Sequence, residues 1–270
     1  MVIATYWKTA QEVLALSPTK GAKAYLLQHF EVVFIHSNED EVRQTWTYPM
    51  RKIVVAPWLK EIAEHEFGDT SAIYVPNGVN TQDFSAPPRQ KCIRPTVGFV
   101  FSHVGFKGSD IAIEAFELLR KEIPDLRLIA FGNSWKRGLK KGPSLPKWTE
   151  YQVLPAQNKI PDIYSQCDVW VCASRSEGFG LPMLEAMACR TPIVSTPTGI
   201  APLLAERGGL RLAPHEDPEG LALEIHHILK LPTNEWTKLS QEAYATAQQF
   251  DMEESACLFE RALETVIAEQ

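Results

Sequence analysis

The chain lacks any apolar run of the roughly 18 to 20 residues that a membrane-spanning helix requires, and its N-terminus lacks the basic, apolar and small-residue order of a secretory signal. These absences predict a cytoplasmic location, with the inner face of a membrane still open as a resting surface. Cysteine is scarce and scattered. Cys92, Cys167, Cys172, Cys189 and Cys257 are odd in number, and no short paired spacing among them would bring four ligands to a metal. An excess of positive charge is also missing. The formal net charge is -6, whereas binding nucleic acid normally calls for a basic face that displaces counterions, so no nucleic-acid partner is expected.

What is present is an ordinary globular composition, 45% hydrophobic and 22% charged over 270 residues. That length supports one large domain or two average ones. β-prone runs at residues 2–6, 24–27, 53–56 and 72–75, with a helical stretch at 57–67, alternate at the spacing of βαβ units. A polar, proline-containing stretch at 85–91 reads as an interdomain linker. The alternation then restarts, with strands predicted at 96–101, 126–131 (ended by Gly132), 151–154, 168–173, 192–195 and 210–212. Helices are predicted after a Ser109 or Asp110 cap and at 161–166, 182–188 and 221–229. The tail from Trp236 is helical by pattern, with a break near Phe250 and Asp251. Strands that are almost continuously apolar are those covered by helices on both faces, which predicts a doubly wound parallel sheet. Ligands of such sheets bind beyond the carboxyl ends of the strands, so the loops after Phe101, Phe131 and Ala173 are expected to line a site.

Residues 174–188 carry the chemistry. A buried strand runs into a loop containing Gly178, Phe179, Gly180 and Leu181, and Pro182 suits the first turn of the helix that follows. The unpaired N–H groups and positive end of that helix make a seat for a pyrophosphate. Glu177 and Glu185 flank the turn with seven residues between them. Beside an anion these carboxylates are better partnered by neutral sugar or ribose hydroxyls.

This arrangement resembles the Glu-x7-Glu motif of glycosyltransferase family 4, the group 1 retaining enzymes of GT-B architecture. Further stretches fit the same pattern in order: Val75-Pro76-Asn77-Gly78-Val79-Asn80 with Phe84, Phe106-Lys107-Gly108-Ser109-Asp110, Asp168-Val169-Trp170-Val171, and Pro192-Ile193-Val194 leading to Thr198-Gly199. The resemblance implies an α/β fold of two Rossmann-like doubly wound parallel sheets. It implies a hexosyl- or deoxyhexosyltransferase that takes its sugar from a nucleotide-diphospho-sugar, with no cofactor and no metal, as in cell-envelope polysaccharide biosynthesis. The chain contains no Asp-x-Asp pair. Carried over to this sequence, Glu177 would hold hydroxyls of the transferred sugar and Glu185 the ribose. Backbone amides around Phe179, Gly180 and Leu181 would face the diphosphate, and Lys107 would neutralise the departing β-phosphate. His29, after the second strand run, stands roughly where relatives carry a polar active-site residue.

The sequence also departs from the family pattern. No Arg precedes Lys107 in its loop, which leaves Ser102 and His103 as the nearest polar groups, with Arg137 or Lys140 from the loop after Phe131 as further candidates. Arg190 with Thr191 replaces a usual glycine, and Leu203 a usual glutamate. No glycine-rich strand-turn-helix precedes Val2, so the expected layout is an incomplete, N-terminally shortened acceptor-side domain at 1–88, a donor domain at 89–245, and a C-terminal helix at 246–270 packing back towards the first domain. The acceptor is not legible in the sequence. A competing reading is a non-catalytic nucleotide-sugar-binding module that works with a separate acceptor-domain subunit.

Overall fold

The computed structural model describes residues 1–34, 36–133 and 142–269. It divides into two compact units, Met1–Gly78 with Met252–Gln270, and Val79–Asp251. In the first, strands β1 (Val2–Ala4), β2 (Lys23–Leu27), β3 (Arg51–Val54) and β4 (Ile73–Tyr74) form a parallel sheet in sequence order. Helices α1 (Trp7–Ala15), α2 (Glu39–Trp46) and α3 (Pro57–Phe67) connect them. Trp46 and Phe67 stack at 5.4 Å, and the Phe30 ring meets Trp46 edge-on at 5.2 Å. Trp7 and Trp46 are thus core residues, both buried.

The second unit holds six strands: β5 (Thr96–Phe101), β6 (Arg127–Gly132), β7 (Thr149–Val153), β8 (Val169–Cys172), β9 (Ile193–Ser195) and β10 (Leu210–Leu212). They pair in the order β10-β9-β8-β5-β6-β7, all parallel. The chain starts at β5, builds outward through β6 and β7, then returns to lay β8 on the other side of β5. The order therefore reverses between β5 and β8, and in open α/β sheets the crevice at that point receives the ligand. Helices α4 (Ser109–Glu122), α5 (Ile160–Ser165), α6 (Leu181–Ala188), α7 (Ala201–Arg207), α8 (Pro218–Lys230) and α9 (Thr233–Ala247) accompany these strands. The core gathers Val97, Phe99, Phe116, Leu119, Leu128, Val171 and Ile225, all buried. At about 1.5–3 kcal/mol per large apolar side chain removed from water, such a core is ample for an independent unit.

Several local expectations are corrected. The stretch at 85–91 is anchored inside the second unit rather than linking two units. The Arg89 guanidinium lies 4.7 Å over the Trp236 ring and donates to the Cys167 carbonyl and, at 3.0 Å, to Thr191 Oγ1, while Lys91 Nζ donates to the Leu229 and Leu231 carbonyls. The division accordingly falls after Gly78 and not after residue 88. Neither Ser109 nor Asp110 caps α4. Gly108 takes that position, and Ser109 Oγ instead accepts the Ser102 N–H at 2.9 Å. Gly132 is the last residue of β6, so the strand ends there as expected but includes the glycine. The predicted break at Phe250-Asp251 separates α9 from the last helix, α10 (Met252–Ala268), which belongs to the first unit. There Ala262 and Val266, with Leu258, Phe259 and Leu263, pack on Ala22, Ala24, Ile53 and Val75. No helix among the described residues is long and apolar enough to cross a membrane.

Candidate functional site

A cavity of about 380 Å³ opens at the carboxyl ends of β5, β6 and β8. Its walls include Phe101 with Ser102, Phe131 with Gly132 and Asn133, and Ala173 with Ser174, the three strand ends expected from the sequence. Lys107, Glu177 and Pro182 complete one side. Its size lies within the usual range for small-molecule sites.

Two loops meet there. The Lys107 turn lies against the Ser174–Glu177 loop because the Arg175 N–H donates to the Phe106 carbonyl at 2.7 Å. The approach is closest at Gly108, whose φ is +62° and where an added Cβ would stand 1.8 Å from the Ala173 carbonyl oxygen. Only glycine meets both conditions. A third loop, after β9, closes on the same point. Ile200 N–H donates to the Phe179 carbonyl at 2.9 Å, and a Cβ on Gly199 would lie 2.3 Å from that oxygen. Thr196 Oγ1 donates to the Ser174 carbonyl at 2.5 Å.

Lys107 and Glu177, seventy residues apart, form an ion pair within this frame. Nζ stands 2.8 and 2.9 Å from the two carboxylate oxygens. Ser174 Oγ donates to Glu177 Oε1 at 2.7 Å, and Ser174 is itself buried. Arg175 braces this frame with no motif to mark it. Its guanidinium binds the Asp110 carboxylate twice, at 2.9 and 2.8 Å, donates to the Gly105 carbonyl at 2.6 Å, and also reaches Glu216. Arg175 thereby ties the turn bearing Lys107 to the start of α4 and to residue 216. Its hydrogen bonds hold the Asp110 carboxyl below the usual carboxylate range. Glu216 has a left-handed backbone, φ +54°, a conformation that costs about 1–3 kcal/mol in a non-glycine residue and here accompanies its bond to Arg175.

The remaining candidates are distributed differently. Glu185, on α6, lies outside the cavity lining. Its Oε2 accepts the Tyr164 hydroxyl at 2.7 Å, and burial raises its carboxyl above the ordinary value, opposed by that bond. Gly180 is the N-cap of α6, Leu181 opens the helix, and Gly178 and Phe179 are buried, the Phe179 ring lying 6.3 Å from Phe250. His103 packs on Phe101 at 4.9 Å and is absent from the cavity lining, whereas Ser102 is part of it. His29 lies in the first unit after β2, with its ring against Phe34 and Trp58. Arg137 and Lys140 lie outside the described residues. Among the described residues no three His, Cys, Asp or Glu side chains converge as a metal-ligating group.

A sequence model for glycosyl transferases group 1 matches residues 94–231, just over half of the chain and wholly within the second unit. The chain belongs to the group 1 glycosyl transferases. Among characterised relatives, it is 31% identical over 158 residues to a GDP-mannose-dependent phosphatidylinositol monomannoside mannosyltransferase of Mycolicibacterium smegmatis, covering 50% of this chain and 41% of that protein. It is 29% identical over 119 residues to O-antigen chain mannosyltransferase B of Escherichia coli, covering 44% and 29% respectively. These matches span less than half the length of either relative. In fold it is similar to a sucrose-phosphate synthase from Thermosynechococcus elongatus, with a TM-score of 0.80 at 20% identity over 99% of this chain and 74% of that one. It is also similar to Anabaena HepE in complex with UDP and glucose, with a TM-score of 0.78 at 18% identity over 97% and 78%. The GT-B architecture is thereby established.

Membership in the group 1 glycosyl transferases separates scaffold from site among the matching motifs. Asp168 is fully buried, and its carboxylate accepts the N–H groups of Cys92 at 2.7 Å and Thr96 at 2.9 Å. Burial raises its carboxyl, and those two bonds oppose the rise. It fastens the amino end of β8, the end of the strand opposite the cavity. Arg190, where the family favours glycine, keeps a left-handed backbone at φ +60°. Its guanidinium stacks 3.8 Å from the Tyr244 ring centre and its Nε donates to the Ala86 carbonyl at 2.9 Å, contacts that offset the strain.

Proposed function

We propose that this chain transfers a hexosyl or deoxyhexosyl group, with retention of anomeric configuration, from a nucleoside-diphosphate sugar to a hydroxyl-bearing acceptor. The observation that carries this reading is the meeting of Lys107 and Glu177 in one cavity at the point where strand order reverses. The bond between the anomeric carbon and the β-phosphate oxygen breaks as one forms to the acceptor hydroxyl oxygen, whose proton passes to the departing diphosphate; charge grows on the leaving oxygen as the bond stretches. Lys107 supplies a fixed cation there and the N-terminal end of α6 a second positive field, both worth more in the transition state than in the ground state. Glu177, oriented by Ser174, accepts hydroxyls of the sugar, and the Glu185–Tyr164 pair lies towards the ribose. No metal is required in this scheme, because Lys107 and the helix end take the leaving-group charge. Acceptor recognition falls to the first unit, whose candidate polar residue is His29. The reaction belongs in the cytoplasm, at the inner membrane face when the acceptor is an envelope polysaccharide or lipid.

Thermal melts with UDP-glucose, GDP-mannose, dTDP-glucose and ADP-glucose test the reading and identify the base. One of these donors is expected to raise the melting temperature by several degrees, and Lys107→Ala to remove most of that rise. An unchanged rise in the variant would sink the role of Lys107. Donor binding with no sugar release or transfer would mark a binding module instead of an enzyme.

A further inference from the structure

We propose that the Lys107–Glu177 ion pair is a latch that makes the site prefer an intact nucleotide-sugar over the free nucleoside diphosphate. The inference rests on the donor-site reading above and adds to it a source of discrimination. The Glu177 side chain is 16% exposed and that of Lys107 37%. Lys107 engages both carboxylate oxygens and Ser174 donates to one. The carboxylate is therefore largely cut off from water, and among the described residues the Lys107 ammonium is the cation it pairs with.

A nucleoside diphosphate that draws Lys107 onto its terminal phosphate takes that counter-charge away. It leaves Glu177 its bond from Ser174 and brings further negative charge into the same cavity. Stripping the partner from a mostly buried charge is among the costlier changes a site can undergo, and the diphosphate bears that cost in its own affinity. An intact donor carries sugar hydroxyls immediately beside the β-phosphate. Those hydroxyls donate to Glu177 as the phosphate takes Lys107, so both halves of the pair exchange partners together. Ser174 bonds Glu177 before and after, which keeps the carboxylate aimed. Once the sugar has moved to the acceptor, the remaining diphosphate faces an unsatisfied Glu177, and re-formation of the ion pair favours its release.

The opposite prediction comes from a simple additive site, in which Glu177 contributes only to sugar binding and leaves diphosphate affinity untouched. Isothermal titration of the full chain with UDP against UDP-glucose, and GDP against GDP-mannose, separates the two. In the wild type the nucleotide-sugar of the accepted base binds more tightly than its diphosphate. Glu177→Gln is expected to tighten the diphosphate by about fivefold or more, because a neutral amide releases Lys107, and to weaken the nucleotide-sugar, so that the preference inverts. Glu177→Ala is a second route to the same gain in diphosphate affinity should the amide misfold the loop. Diphosphate affinity that is unchanged or lower in both variants, with both ligands binding the wild type, overturns the latch and leaves the donor site standing. Wild-type protein that binds neither pair overturns both.

Discussion

The loops beyond β5, β8 and β9 in the six-stranded unit are tied to one another through their backbones, by Arg175 N–H to Phe106, Ile200 N–H to Phe179 and the close approach at Gly108. The loop after β2 in the four-stranded unit is held by side chains instead. His29 packs between Phe34 and Trp58, and Glu31 is buried with its carboxylate accepting the Trp7 N–H at 2.8 Å. Backbone-to-backbone fastening fixes geometry and tolerates almost no change of residue type. Side-chain burial fixes geometry more loosely and makes it depend on charge state. The two units are therefore expected to fail in different ways.

The largest effect is expected at Gly108→Ala. The new Cβ would fall 1.8 Å from a backbone oxygen, which no rotamer relieves, so the loops must part at a cost of roughly 3 kcal/mol or more. Urea unfolding should show that loss, and donor binding should vanish with it. A wild-type midpoint would refute the account of how the two loops are joined.

Next in size is a pH effect in the first unit. Burial raises the Glu31 carboxyl to about 7, opposed by its bond from Trp7 N–H. The unfolded chain gives up this proton near the ordinary value while the folded chain retains it. The stability associated with the protonated form is therefore complete below about 4.5 and drains away as pH rises through about 7. Relative to Glu31→Gln, which has no such proton, the wild type should lose on the order of 2–3 kcal/mol between those limits. Melts of the two proteins that run parallel from pH 4.5 to 8 would remove Glu31 as the cause.

The smallest stability change belongs to Arg175→Ala. Its ion pairs with Asp110 and Glu216 are largely open to solvent, where each contributes at most about 1 kcal/mol. Its consequence should appear instead in transfer, with a fall of roughly tenfold as Lys107 loses its fixed position, while the melting point stays within a few degrees. A transfer rate left at the wild-type level would make Arg175 an ordinary surface residue.

The same contrast explains what could be read in advance. Strands such as 96–101 and 210–212 and the helix at 57–67 agree with β5, β10 and α3, because a run of apolar residues or an opening proline records its own environment. The glycine turns beyond β5 and β8 are legible for a similar reason, since close approach demands one residue type. Helices α1, α2 and α7 leave no clear mark in the sequence. α1 opens on Tyr6 with no acidic residue in its first turn, and α7 is only seven residues long. Arg89 and Lys91 looked like linker residues because their partners, Trp236 and the end of α8, come more than a hundred residues later. The pairing of Lys107 with Glu177 is likewise hidden, by a separation of seventy residues. Arg190 shows the reverse case. The left-handed turn persists without its glycine because an aromatic ring and a carbonyl hold the arginine in place.

The return of α10 to the first unit has a consequence for synthesis on the ribosome. Ala22, Ala24, Ile53 and Val75 are packed on by α10 residues beyond Met252, and the whole of Val79–Asp251 is translated in between. At about 5–20 residues per second that delay is on the order of ten seconds. Throughout it the nascent four-stranded sheet presents a bare apolar face, open to chaperones or to a neighbouring chain, while the six-stranded unit completes its own core first.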